Sequence, residues 1–125
     1  MLPREHRLTE NKDFKSVFST GRTFVHRLLI LKVKSGLGER PGRWGFSTSS
    51  KLGKAVTRNR AKRLVRESVR LLGARVRETG YDAVLIARPP IREASFAEVS
   101  QAVEDLLQKA GLLEAPKNTQ TVETD

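Results

Sequence analysis

The residues best placed to do chemistry lie in one stretch, Lys51–Arg70, reading KLGKAVTRNRAKRLVRESVR. It carries Lys51, Lys54, Arg58, Arg60, Lys62, Arg63, Arg66 and Arg70 against one acid, Glu67. Eight cations and one anion leave +7 there, out of +10 for the 125-residue chain. What such a segment offers is phosphate binding: arginine forks grip phosphate oxygens bidentately, and lysine adds point charge. Asn59 can donate and accept at a 2′-hydroxyl or a base edge. An ordinary charged helix face mixes lysine with glutamate, and this one scarcely does. The pattern reads as a polyanion-binding surface rather than a solvated one.

Groups that could break a bond are missing. A metal-dependent nuclease needs clustered Asp, Glu or His around the scissile phosphate. His6 and His26 are the only histidines, and their spacing is not that of ligands. Glu67 stands among cations, and Asp82 opens a strand with no carboxylate near it in sequence. Glu98, Glu104 and Asp105 ride an amphipathic helix and read as solvated surface. No Ser/His/Asp pattern, P-loop or dinucleotide loop occurs. No catalytic residue and no metal ligand is nominated, and the chain reads as a binder.

The elements that must position the cations follow from periodicity. Gly53 allows a tight turn, Thr57 is the expected N-cap and Gly73 the expected stop of a helix. At 100° per residue, Ala61, Leu64, Val65, Ser68, Val69 and Leu72 form one stripe for the core. Asn59, Lys62, Arg63, Arg66 and Arg70 fall opposite, with Arg58 and Arg60 on the flanks. The start of this helix works against its own dipole, which favours acids there by about 0.3–1 kcal/mol each. Like charges such as Lys62 and Arg66 at i,i+4 add a few tenths of a kcal/mol, roughly, of repulsion. A docked polyanion reverses the sign of both terms.

The rest of the chain supplies a scaffold. Met1–Leu8 reads as an irregular basic arm. Thr9 can cap a short helix over Glu10–Thr20, closed by Gly21, with Phe14, Val17 and Phe18 at i, i+3, i+4. Arg22–Lys34 is strand-like, interrupted at His26-Arg27. Ser35–Gly42 is a hairpin loop, and Arg43–Ser49 returns as an antiparallel strand. The continuous apolar run in Tyr81–Arg88 suits a strand covered on both faces, ended by Pro89-Pro90. Ser95 and Glu98 form a capping box ahead of the stripe Phe96, Val99, Val103, Leu106, Leu107 and Ala110. The expected class is α+β, a single domain over 1–113 in the order α-β-β-β-α-β-α, with helices packed on a mixed four-stranded sheet. Residues 114–125 read as a disordered tail.

The remaining composition narrows the setting. Cysteine is absent, so there is no disulfide framework and no thiolate site. No segment approaches ~18 apolar residues, and the MLPREHRL start lacks a signal-peptide apolar region. A pI of about 10.7 favours nucleic acid. An anionic membrane is the weaker partner, because the basic helix lacks a bulky aromatic face. The expected setting is cytoplasmic.

Lys51-Leu-Gly-Lys-Ala-Val-Thr-Arg-Asn-Arg-Ala-Lys-Arg-Leu-Val-Arg-Glu resembles the signature of the bacterial ribonuclease P protein component, Lys-x-Gly-x-Ala-Val-x-Arg-Asn-Arg-x-Lys-Arg-x-x-Arg. The match is ungapped, and the flanking segments agree in order from about Arg7 to Leu113. The resemblance implies a fold shared with a ribosomal-protein domain, in which the basic helix lies in a left-handed crossover. It also implies a ribonucleoprotein in which a large RNA, holding Mg²⁺, removes the 5′ leader of precursor tRNA, with one protein per RNA. On that resemblance Lys51, Lys54, Arg58, Asn59, Arg60, Lys62, Arg63, Arg66 and Arg70 contact the catalytic RNA. Phe14 and Phe18 match the aromatic positions of a leader-binding cleft. Spacing alone gives these rings to the core, so both readings stand. Lys32 occupies a strand position often aromatic in the family and would offer the leader a phosphate contact instead. Two other classes compete: a structural RNA-binding protein with no part in a reaction, and an autonomous nuclease, against which the missing carboxylate cluster argues.

Overall fold

The burial patterns of two strands define the sheet. In β2 (Leu29–Ser35) Leu29, Leu31 and Val33 are buried, while Ile30, Lys32 and Lys34 are half-buried. In β4 (Tyr81–Ala87) every residue except Ile86 is buried, as a central strand requires. β1 (Arg22–Val25) pairs antiparallel with β2, β2 pairs antiparallel with β4, and β3 (Arg43–Thr48) runs parallel to β4. The order is β1-β2-β4-β3, a mixed sheet with β3 on an edge. These features come from a computed structural model that describes residues 6–114.

A parallel pair needs a crossover. Here it is α2 (Ala55–Leu72), the basic helix. Its Ala61, Val65, Ser68 and Val69 are buried, with Leu64 and Leu72 packed beside them, as the stripe predicts. They join Leu29, Leu31, Val33, Ala83, Leu85, Ala87 and the apolar side of α3 (Phe96–Lys109) in one large core. On the other face, α1 (Asn11–Thr20) builds a small second core from Val17, Leu8 and Val84, with Phe14 and Ile86 against it. The expected capping box is present. Glu98 donates its N–H to Ser95 Oγ at 3.1 Å, and Ser95 donates its own to Glu98 Oε1 at 2.8 Å.

Several local expectations change. The Ser35–Gly42 loop does not close a hairpin: β4 lies between β2 and β3, so the strand expected to return antiparallel beside β2 pairs parallel with β4 instead. Thr57 does not cap α2. Gly53, at φ 126°, turns the chain so that Lys54 becomes the N-cap, with no side-chain hydrogen bond. The Lys54 carbonyl accepts from the Arg58 N–H at 3.0 Å, which places Thr57 inside the first turn. Likewise Glu10, not Thr9, is the N-cap of α1, again without a side-chain bond. Nor is the described end of the N-terminal arm irregular: Arg7 bridges to Trp44 in parallel, and Leu8 is buried and donates its N–H to the Trp44 carbonyl at 2.8 Å. At the other end Glu114, placed in the expected tail, donates to the Arg75 carbonyl at 2.6 Å. The rest of that tail, 115–125, lies outside the described residues.

Candidate nucleic-acid interface

The first turn of α2 contains no acid and no side-chain cap. Lys51, Lys54, Asn59, Arg60, Arg63, Arg66 and Arg70 are exposed; Arg58 and Lys62 are half-buried. Among the described residues two members of the set donate side-chain hydrogen bonds to protein groups. Arg58 donates from Nη1 to the Gly53 carbonyl at 3.0 Å, which pins the loop ahead of the helix. Arg70 is forked onto Glu67, its Nε donating to Oε1 at 3.1 Å. The guanidinium holds the Glu67 carboxyl below the usual carboxylate range, and Glu67 raises Arg70 in turn. Among the described residues Lys51, Lys54, Arg60, Lys62, Arg63 and Arg66 have no carboxylate within ion-pair distance. A row of cations held on a rigid helix at an uncapped N-terminus is an anion-binding surface.

A second surface is built by the register of the sheet. On the α1 side, Thr23, Lys32, Val84 and Gly45 align in one row across the strands. Val25, Ile30, Ile86 and Ser47 align in the next. The ten-residue α1 covers the first row, with Val17 on Val84 and Phe14 on Gly45. It leaves much of the second row open: Val25 is 60% exposed, and Ile30, Ile86 and Ser47 are half-buried. Phe18, 42% exposed, stands beside this trough with its ring 6.4 Å from that of Phe14. Lys32 Nζ lies 6.0 Å from the Phe18 centroid and donates to Thr23 Oγ1 at 2.9 Å. The structure therefore brings Phe14, Phe18 and Lys32 together at one trough, and Phe14 also shares a cleft with Lys62, Arg63, Arg66 and Arg70 of α2. The trough's apolar rows were not legible as a binding surface, because each strand alone looks like core.

Comparison with known proteins decides the family. A model described as Ribonuclease P matches residues 2–111. The chain belongs to the ribonuclease P protein family. It is 44% identical over 113 residues to the ribonuclease P protein component of Symbiobacterium thermophilum, covering 90% of this chain and 97% of the relative. It is 42% identical over 108 residues to that of Caldanaerobacter subterraneus, covering 86% and 91%. Its fold matches the ribonuclease P protein of Staphylococcus aureus at TM-score 0.77 and 27% identity, over 87% of this chain and 98% of that one. The Thermotoga maritima protein matches at 0.72 and 28%, over 82% and 96%.

Sequence reasoning about this ribonuclease P family member missed the bolt that holds α1 in place. Asp82, buried at the head of β4, accepts from Arg43 at 3.0 and 2.9 Å and from Arg40 at 2.8 Å. Arg43 also donates to Asp13 of α1 at 3.2 Å. The hydrogen bonds that Arg43 donates to Asp82, then the one it donates to Asp13, push its guanidinium above its ordinary value despite its partial burial. The partners are 30 and 39 residues apart in sequence, so only the lone acid at the start of an apolar strand hinted at them. Both carboxylates are thus committed to arginine. Among the described residues no group of three or more His, Asp or Glu gathers as a metal site, so these side chains do not fit a resident Mg²⁺. Nor is any described helix long and apolar enough to cross a membrane.

Proposed function

We propose that this chain is the protein subunit of a ribonuclease P ribonucleoprotein that matures precursor tRNA. The cationic side of α2, with the loop from Lys51, docks on a catalytic RNA. The trough beside Phe18 holds the single-stranded 5′ leader, its bases against Phe14, Phe18 and the open apolar row, and Lys32 near the phosphates. The RNA holds the Mg²⁺ and breaks the bond. The protein neutralises phosphate repulsion and fixes where the leader lies, one protein per RNA, in the cytoplasm.

The observation that carries this reading is the pairing of two unlike surfaces on one rigid sheet. Unpartnered cations on α2 suit a structured polyanion, which binds through backbone charge. Half-exposed rings beside uncovered aliphatic residues suit unstacked bases, worth about 1–3 kcal/mol per base. The test is cleavage of precursor tRNA by the catalytic RNA at low Mg²⁺, with and without this protein. The protein should accelerate leader removal, and alone it should cleave nothing. No acceleration would leave a structural RNA binder; cleavage by the protein alone would overturn the assignment of catalysis to the RNA.

A further inference from the structure

β3 is an edge strand, and its outer side is not bare. The segment Arg7–Thr9 runs along it, held by the Leu8–Trp44 backbone hydrogen bond. Between that segment and the polar side of α2 lies a cleft of about 450 Å³. This falls in the range of about 300–1,000 Å³ usual for small-ligand sites. Phe14, Trp44 and Phe46 line it on the apolar side, and Lys62, Arg63 and Arg66 on the polar side. The cleft lies around the β3 edge from the leader trough.

The aromatic side is specific in its chemistry. Trp44 and Phe46 stack at 6.4 Å with their planes 12° apart. The indole N–H is already spent, donating to the Tyr81 hydroxyl at 3.1 Å, and that hydroxyl donates to the Arg77 carbonyl at 2.6 Å. Trp44 therefore presents no free donor to the cleft. The Arg66 guanidinium stands 5.9 Å over the Phe46 ring. Lys62 and Arg66 are one helical turn apart, about 5–6 Å at Cβ, a spacing that straddles one phosphate. Among the described residues one acid lines the cleft, Glu67, and it is taken by Arg70. A cleft with an aromatic wall, an arginine over the ring and unpaired cations at the mouth suits a planar aromatic group carrying an anion.

We infer that the cleft between β3 and α2 takes one unstacked nucleotide, its base against Phe46 and Arg66 and its phosphate between Lys62 and Arg66. The inference rests on the reading that RNA is the partner, and it adds a pocket at the β3 edge where cations of the helix face meet Phe14 of the trough. The nucleotide comes either from the catalytic RNA or from the substrate leader.

Trp44 is the only tryptophan, and because it lines this cleft its emission can report on binding there. Adenosine 5′-monophosphate titrated into the full-length protein should give a saturable change in Trp44 fluorescence. Adenosine and inorganic phosphate, each lacking half of the ligand, should bind at least about tenfold more weakly. Phe46→Leu should weaken the monophosphate by about 5- to 150-fold, the share of one stacked base. Arg66→Gln, at an exposed position, should weaken it with the fold unchanged by circular dichroism. A monophosphate that binds no better than phosphate overturns the inference, and it does so even if the protein still binds the catalytic RNA, which leaves the proposed function standing. In the reconstituted complex, a photo-crosslinker at position 63 should mark one nucleotide, in the RNA or in the leader, and so name the source. Crosslinks spread over many nucleotides would overturn it.

Discussion

Gly45 offers the sharpest test of the proposed leader trough, because a substitution there moves the Phe14 ring without changing that ring's chemistry. A Cβ built at position 45 would sit 2.6 Å from Cε1 and Cζ of Phe14 and 3.5 Å from Cβ of Leu8. The Leu8 contact is ordinary; the Phe14 contacts are impossible. The colliding atoms are the far end of a half-buried side chain, so the ring moves and the backbone stays. Leaving its rotamer well costs about 0.5–1.5 kcal/mol. Alanine in place of a strand glycine returns about 0.5–1 kcal/mol. Gly45→Ala should therefore fold with stability within about 1 kcal/mol of the parent. Its displaced Phe14 no longer stacks, and about 1–3 kcal/mol of leader binding goes with it. The assay is the affinity of the reconstituted enzyme for precursor tRNA relative to mature tRNA. That ratio should fall about 5- to 150-fold, since each 1.4 kcal/mol is a factor of ten. Phe14→Ala should lose a similar amount, and the double variant no more than either alone, because the two residues act through one contact. Wild-type discrimination by Gly45→Ala, or losses that add, would show that Phe14 does not read the leader.

The other expectations are brief. Arg60→Ala or Arg66→Ala should weaken binding to the catalytic RNA and flatten its log–log salt dependence by about 0.7–0.9 per lost phosphate contact, and an unchanged slope removes that residue from the interface. Phe18→Ala should hurt leader-bearing substrate more than mature tRNA; equal loss for both, or loss of folding, returns the ring to the core. Asp82→Ala should cost about 3 kcal/mol in urea denaturation, since it strands Arg43 without its main partner, and a loss below about 1 kcal/mol would mean that the bolt does not hold the fold. The Ser95 backbone amide, then its hydroxyl, keep the Glu98 carboxyl below the ordinary glutamate range. A depressed folded value means that stability is present above the unfolded value and lost as pH falls through the folded one. Glu98→Gln should therefore flatten the acid limb of the stability curve, and an identical limb in both proteins would refute the capping role of the charge.

What could be read from the chain was what neighbours in sequence decide. The Ser95–Glu98 box, the stop at Gly73 and the buried stripe from Ala61 to Leu72 depend on residues three or four apart, and all three stand where periodicity put them. The caps of α1 and α2 were misplaced because each helix starts without a side-chain bond, so the usual residue types carried no information. For α2 the glycine turn set the start instead. Lys32 was legible as a cation in an aromatic's place, but not its bond to Thr23, which depends on the β1–β2 register. Arg70 was grouped with the free cations, although Glu67 stands three residues before it; counting net charge hid a local ion pair. Asp82 shows the limit most clearly, since Arg40 and Arg43 meet it only after β3 and β4 align in parallel.

That alignment also bears on how the proposed subunit would assist a cleavage carried out by RNA. β3 is shared by both proposed surfaces. On one side Gly45 leaves room for the Phe14 ring, and on the other Phe46 lies under Arg66 of the cationic helix. The Arg43–Asp82–Asp13 chain, rooted in the same strand, ties α1 to the sheet. A leader in the trough and an RNA on α2 are then separated by one strand of a packed sheet rather than by a flexible linker. Fixing two reactants in this way raises effective concentration without new chemistry, and an error of ~1 Å in placement can cost about a hundredfold. The protein's contribution to rate, in this reading, depends on the stiffness of β3 and its bolt as much as on the number of its cations.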